Sequence, residues 1–109
     1  MADVSDSDVL FEAVTPLGFK ERTTRAYWET IISIKHPVMS GREIEVKDTL
    51  SDPEQVRQSR LDSDVYLFYR SKHGRRWVCA VTKRLNEEGY LITAYPTDAI
   101  KEGTQVWPK

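Results

Sequence analysis

Five side chains in this sequence have the types that move protons or hold phosphate: His36, Arg60, Lys83, Thr93 and Tyr95. An imidazole gives and takes protons near neutral pH. Guanidinium groups hold a phosphate through two parallel N–H bonds and stabilise the charge that develops on a pentavalent phosphorane. Arg57 and Arg60 flank Ser59 in the run RQSR and offer that grip. RNA brings its own nucleophile, the 2′-hydroxyl, so its cleavage needs a base, an acid and cationic stabilisation, with no activated side-chain nucleophile. The five residues supply those roles. Plainer roles fit the same positions. His36 stands before Pro37, where a helix should stop, and its cation there would complement the helix dipole. Surface Arg and Lys are usually solvated. A buried or rim tyrosine often only has its hydroxyl hydrogen-bonded. His73, beside Gly74 in a polar stretch, reads as a turn residue.

Charge points the same way as residue type. Between Arg57 and Arg84 there are eight Lys/Arg against two Asp, a local balance of +6 in a chain of −1, which leaves −7 for the remainder. Such asymmetry suggests a polyanion partner. A basic edge that discourages strand-to-strand aggregation would look alike. The sequence pI near 6.1 is low for a free nuclease.

Other classes are disfavoured. No apolar run approaches the about 20 residues of a membrane span. The start, MADVSDSD, is acidic and lacks a signal-peptide pattern. The single cysteine, Cys79, excludes an internal disulfide, and its apolar strand context reads as a buried, inert thiol. One Cys and two His make a structural zinc site a poor fit. The expectation is a single cytoplasmic domain over 1–109, with 1–8 a frayed tail, no metal and no cofactor.

The elements that must position these residues follow from periodicity. Two β-prone runs, about Val9–Val14 and Phe19–Thr23, are joined by Thr-Pro-Leu-Gly, a hairpin signal. From Thr24 the period turns helical, with Tyr27, Ile31 and Ile34 in one row and Trp28, Ile32 and Lys35 beside it. Thr23 or Thr24 caps that helix, and Pro37 ends it near Lys35–His36. A second helix spans about Met39 to Leu50, with Ile44, Lys47 or Val46, and Leu50 on one side, closed by Ser51-Asp52-Pro53. Glu54–Ser59 reads as a short edge strand. Val65–Arg70, Trp77–Lys83 and Tyr90–Tyr95 are the strong strands, and the short turns between them require antiparallel pairing. The tail IKEGTQVWPK adds a short strand or lies across the sheet, anchored by Trp107.

The expected architecture is α+β: an N-terminal hairpin and two helices packed on one face of a four-stranded antiparallel sheet. The other face stays open, as a groove for a long substrate requires. Alternation puts Trp77, Cys79, Val81 and Lys83 on one face, and Leu91, Thr93 and Tyr95 on one face. Register decides whether the two sets meet. Only one of Tyr69 and Arg70 can point into the groove.

From Tyr27 to Pro108 the chain resembles small bacterial and phage nucleases of the superfamily that groups barnase, EndoU, colicin-type tRNases and RelE (BECR). The resemblance rests on AYWETIISIKHPVM, DPEQVRQSRLDSDVYLFYR, RWVCAVTKRL and, most specifically, GYLITAYPTDAIKEGTQVWP. It implies a BECR-like fold, with two helices before a four-stranded antiparallel sheet. It also implies metal-independent RNA cleavage in a toxin–antitoxin or phage-borne setting, with tRNA or mRNA as substrate and a small acidic antitoxin as a partner. By that pattern His36 is the acid/base, Arg60 and Lys83 hold the scissile phosphate, and Thr93 or Tyr95 positions it. The pattern also extends to the Tyr69-Arg70 strand end, and the expected substrate-binding residues are Arg57, Tyr69, Arg70 and Arg76. A non-catalytic RNA-binding or protein-interaction module using the basic sheet face is the alternative.

Overall fold

The strands fall where alternation and turn residues put them, yet the sheet they build is larger than the local pattern implies. The structure, a computed structural model, describes residues 8–74, 76–100 and 102–109. The tail expected over 1–8 therefore lies, for residues 1–7, outside the described residues. The elements in order are β1 (Val9–Val14), β2 (Lys20–Thr24), α1 (Arg25–Thr30), α2 (Glu43–Ser51), β3 (Gln55–Gln58), β4 (Val65–Ser71), β5 (Trp77–Leu85), β6 (Glu88–Thr97) and β7 (Thr104–Trp107). A π-helical turn, Ile31–Lys35, extends α1, and a 3₁₀ turn, Pro37–Met39, follows it.

The expected four-stranded antiparallel sheet carrying two helices is not what forms. The strands make one seven-stranded mixed sheet in the order β1-β2-β6-β5-β4-β3-β7, and the helices are short. Two pairings account for the difference. The hairpin does not stand apart, because β2 runs parallel to β6, with Lys20, Glu21 and Arg22 against Glu88, Gly89 and Tyr90. The tail strand β7 pairs antiparallel with β3, so the run read as an edge strand is internal. Neither contact is between neighbours in sequence, and turn chemistry signals only hairpins.

Local details follow from chemistry. The β1–β2 turn closes through a bond from Gly18 N to Thr15 O, 3.0 Å, with Gly18 at φ 95°, a conformation that L side chains rarely adopt. Thr24 caps α1, its Oγ1 accepting from Tyr27 N at 3.1 Å. Trp28 and Ile31 are buried against the sheet, whereas Ile34, expected in the same row, is 77% exposed. The wider π turn shifts the row after Ile31, so the 3.6 spacing no longer predicts the inward face. Ile44 is likewise 76% exposed, and Val46, Thr49 and Leu50 are the residues that α2 buries.

Two clusters hold the sheet. On the helix side, Phe11, Phe19, Trp28, Ile31, Met39 and Val46 are among the residues packed with Phe68, Val78, Ala80, Leu91 and Ala94. On the opposite face a smaller cluster joins Leu67, Tyr69 and Cys79, flanked by Trp77, Val81, Tyr95 and Ile100. That second face positions the candidate site.

Candidate functional site

A β-bulge sets which side chains reach the open face. In the β5–β6 ladder Val81 pairs with Thr93, but Thr82 pairs with Leu91, so Ile92 is an extra residue. Leu91 therefore turns into the helix-side core, while Thr93 and Tyr95 stand beside Val81 and Cys79 on the other face. The sequence reading that put Leu91, Thr93 and Tyr95 together misses this inserted residue. The bulge carbonyl is not left bare: Ile92 O accepts from Tyr27 Oη at 2.7 Å and from Lys35 Nζ at 3.0 Å. Lys35 Nζ also donates to Tyr27 Oη at 2.9 Å and lies 5.3 Å from the Tyr27 ring centre.

Register gathers the candidate residues around Tyr95. Across the face, Arg57, Leu67, Val81 and Thr93 form one row, and Gln55, Tyr69, Cys79 and Tyr95 the next. His36 ends the π turn, its N–H donating to Ile31 O at 2.7 Å, and its ring lies 5.3 Å from that of Tyr95, tilted by 41°. Thr93 Oγ1 is buried without a hydrogen-bond partner among the described residues. Burial raises the Tyr95 and Tyr69 hydroxyls well above the ordinary phenol range, so both keep their protons at physiological pH. Burial likewise pushes the Cys79 thiol up to about 12.

The segment between β6 and β7 crosses this face as a strap, because β6 and β7 lie on opposite sides of β5, β4 and β3. Ile100 seats on the Leu67–Tyr69–Cys79 cluster. Arg57 ties the strap down, its Nε donating to Glu102 O at 2.7 Å and its Nη2 to Gly103 O at 2.9 Å. A cleft of about 530 Å³ lies on one side, with Leu61, Val65, Leu67 and Val81 as apolar lining and Arg60, Tyr95 and Glu102 as polar groups. A smaller one of about 290 Å³ is lined by Tyr69, Tyr95, Thr97, Asp98, Ala99 and Glu102. Tyr95 is thus shared by both.

Arg60 is placed by the β3–β4 turn. Ser59 Oγ accepts from Leu61 N and Asp62 N, and Asp62 Oδ1 accepts from Asp64 N at 2.9 Å. Asp62 Oδ2 meets Lys83 Nζ at 2.9 Å. Hydrogen bonding to Lys83 holds the Asp62 carboxyl below its usual range, and the same bond raises Lys83. Arg60 is exposed, and its Nε donates to Thr104 Oγ1 at 3.4 Å.

The remaining sequence candidates separate. Tyr69 faces the open side and is buried there. Arg70 takes the opposite face, where Nη1 binds Asp52 O at 2.7 Å and Asp52 Oδ2 at 2.8 Å, closing the end of α2. Arg57 is committed to the strap, and Arg76 is exposed beyond the start of β5. The basic block is thus divided between two faces: Arg84, for example, lies 5.1 Å from the ring centre of Phe19 in the helix-side core. Sequence reasoning missed Leu61, Glu102 and Gly103. Leu61, 99% exposed at the lip of the cleft, is the one with a signal, an isolated apolar residue in a polar turn.

Among the described residues, no three or more His, Cys, Asp and Glu side chains are gathered as metal ligands would be. No helix of the described residues is long and apolar enough to cross a membrane. Compared with protein-family models, with curated proteins and with solved structures, the chain matches none.

Proposed function

We propose that this chain is an endoribonuclease that cleaves RNA through the RNA's own 2′-hydroxyl, without a metal. The observation that carries the reading is the convergence on one sheet face of residues chosen for their chemistry. The His36 ring lies against that of Tyr95 at a tilt, Thr93 stands in the adjacent row, and Arg60 shares the cleft with Tyr95. Lys83, on the same face, is paired with Asp62 in the turn that carries Arg60.

In this reading His36 takes the proton of the 2′-hydroxyl as its oxygen attacks phosphorus. The bond from phosphorus to the 5′-oxygen breaks, and the leaving oxygen takes a proton from solvent across the open cleft. The products are a 2′,3′-cyclic phosphate and a 5′-hydroxyl. Arg60 offsets the charge that builds on the phosphoryl oxygens. The Tyr95 hydroxyl, which stays protonated, donates a hydrogen bond to the same group. Lys83 contributes only to the extent that its bond to Asp62 is shared with phosphate.

The test is cleavage of total RNA by purified protein with EDTA present, for wild type, His36→Ala and Arg60→Ala. Loss of a general base lowers the rate by about 10²–10⁴-fold. Undiminished cleavage by His36→Ala would remove that residue from the mechanism. Intact RNA with folded wild-type protein would leave the non-catalytic RNA-binding module, the reading that the half-buried Trp77 favours.

A further inference from the structure

A third depression, of about 220 Å³, opens beyond the end of the site and is cationic where the strap is acidic. Its lining includes Val38, Arg42, Lys72, His73, Arg76 and Trp77, and no carboxylate among the described residues. Trp77 is half-buried, packed against the Leu67–Tyr69–Cys79 cluster while still lining the depression. Glu45 is the acid that faces these cations, 2.9 Å from Lys72 Nζ and 3.6 Å from Arg42 Nε. Arg76 has no ion-pair partner among the described residues, and its side chain is open to solvent. Among the described residues, one carboxylate faces three cations, which leaves an excess of positive charge beside an aromatic face.

The place of this depression matters as much as its chemistry. Pro96, also in the lining, pairs with Val78 on the helix-side face, whereas Trp77 packs on the Tyr95 face, so the depression wraps the end of the sheet. Trp77 pairs with Thr97, two residues along β6 from Tyr95, a rise of about 7 Å. A single strand lying on Tyr95 therefore reaches Trp77 within about one nucleotide step.

We propose that this depression is a subsite for the nucleotide flanking the scissile phosphate of single-stranded RNA. Its base stacks on the Trp77 indole, and its phosphate is held by Arg76, with Arg42 and Lys72 alongside. Aromatic stacking is indifferent to base identity, and phosphate contacts position without reading sequence, so the subsite supplies affinity and register. The assignment rests on the RNA reading of the neighbouring cleft, but its test does not require cleavage.

The probe is a short oligouridine made of 2′-O-methyl nucleotides, which lacks the attacking hydroxyl. Titration into wild-type protein should quench tryptophan fluorescence, and Trp77→Phe should remove most of that quench. Arg76→Ala should weaken binding about tenfold at low salt and reduce the slope of log affinity against log salt by about one. Arg76 is a surface residue, so this variant keeps the test decisive should Trp77→Phe fold poorly. Absence of binding by the wild type, or wild-type affinity and salt slope in Arg76→Ala, would overturn the subsite. If the probe binds as expected while natural RNA stays intact, the subsite stands and the nuclease reading falls. If natural RNA is cut and Arg76→Ala binds the probe normally, the reverse holds.

Discussion

The carboxyl of Glu21 provides the sharpest physical prediction, because it is fully buried where the hairpin joins the sheet. Its β2 position lies between Ala13 of β1 and Gly89 of β6, and the side chain is 0% exposed. Thr23 Oγ1 donates to its Oε2 at 2.6 Å, whereas Oε1 has no partner among the described residues. Burial disfavours the charged form and pushes this carboxyl from 4.5 up to about 8, with the nearby Glu12 adding to the rise and Thr23 opposing it. The unfolded chain releases this proton near 4.5, and the folded chain keeps it until about pH 8. In that window the unfolded state binds fewer protons, so raising the pH favours unfolding. The stabilisation is full below the lower value and is lost by the upper one. Integrated from 4.5 to about 8 at 1.36 kcal/mol per pH unit, the loss is on the order of 5 kcal/mol. For a domain whose total stability is about 5–15 kcal/mol, that is a large fraction.

Glu21→Gln keeps the shape and removes the titration. Urea unfolding of both proteins across pH 4.5 to 8 reads the group together with its coupling to Glu12, since the remaining titrations are common to the two. The stability gap between variant and wild type should grow in the variant's favour by on the order of 5 kcal/mol from the acid to the alkaline end. Its absolute value at any one pH also contains the cost of burying an amide, so the growth of the gap is the quantity to read. Parallel pH curves would refute the reasoning, for they would mean that Glu21 ionises inside the fold as readily as outside it.

Three further outcomes follow from the strap and the face beneath it. Gly103→Ala should destabilise the fold by about 2–3 kcal/mol in urea unfolding, because Gly103 has φ 79° and an added Cβ would lie 2.5 Å from Gln58 O; a neutral change would contradict that geometry. Arg57→Ala removes the donors to Glu102 O and Gly103 O, so it should lower stability by about 2 kcal/mol. It should also speed amide exchange at Ala99, whose N–H donates to Thr97 Oγ1, and unchanged protection there would show that Ile100 alone seats the strap. Cys79, fully buried with its thiol near 12, should resist alkylation at pH 8 in the native protein and react once denatured; rapid native labelling would show that the strap opens readily.

Much of this face was legible in the sequence, and the reason is local. Alternation in WVCAVTK and the short turns on either side of β5 fix three antiparallel neighbours, and the β1–β2 turn carries its own Pro and Gly. Those signals act between residues close in the chain. The parallel seam of β2 with β6 joins residues more than sixty positions apart, and β7 reaches β3 only after the strap has crossed the sheet. Nothing in local periodicity reports such contacts, because period alone says which side of a strand is apolar and not what lies beside it.

The bulge at Ile92 shows how far the placing of Thr93 and Tyr95 depends on one inserted residue. With strict alternation along β6, burial of Leu91 would carry Thr93 and Tyr95 into the helix-side core with it. The inserted residue reverses the phase, and it is tolerated because Tyr27 and Lys35 take up the carbonyl it frees. The π turn then delivers His36 from the same helix end to the Tyr95 ring. The device that re-aims Tyr95 and the device that supplies its imidazole neighbour are therefore coupled through α1. Tyr27→Phe removes the hydroxyl that bonds Ile92 O and Lys35 without emptying the core. Its effect should appear in the His36–Tyr95 contact, read as a shifted imidazole resonance in NMR, although neither residue is touched. An unshifted resonance would mean that the bulge holds its phase without the helix.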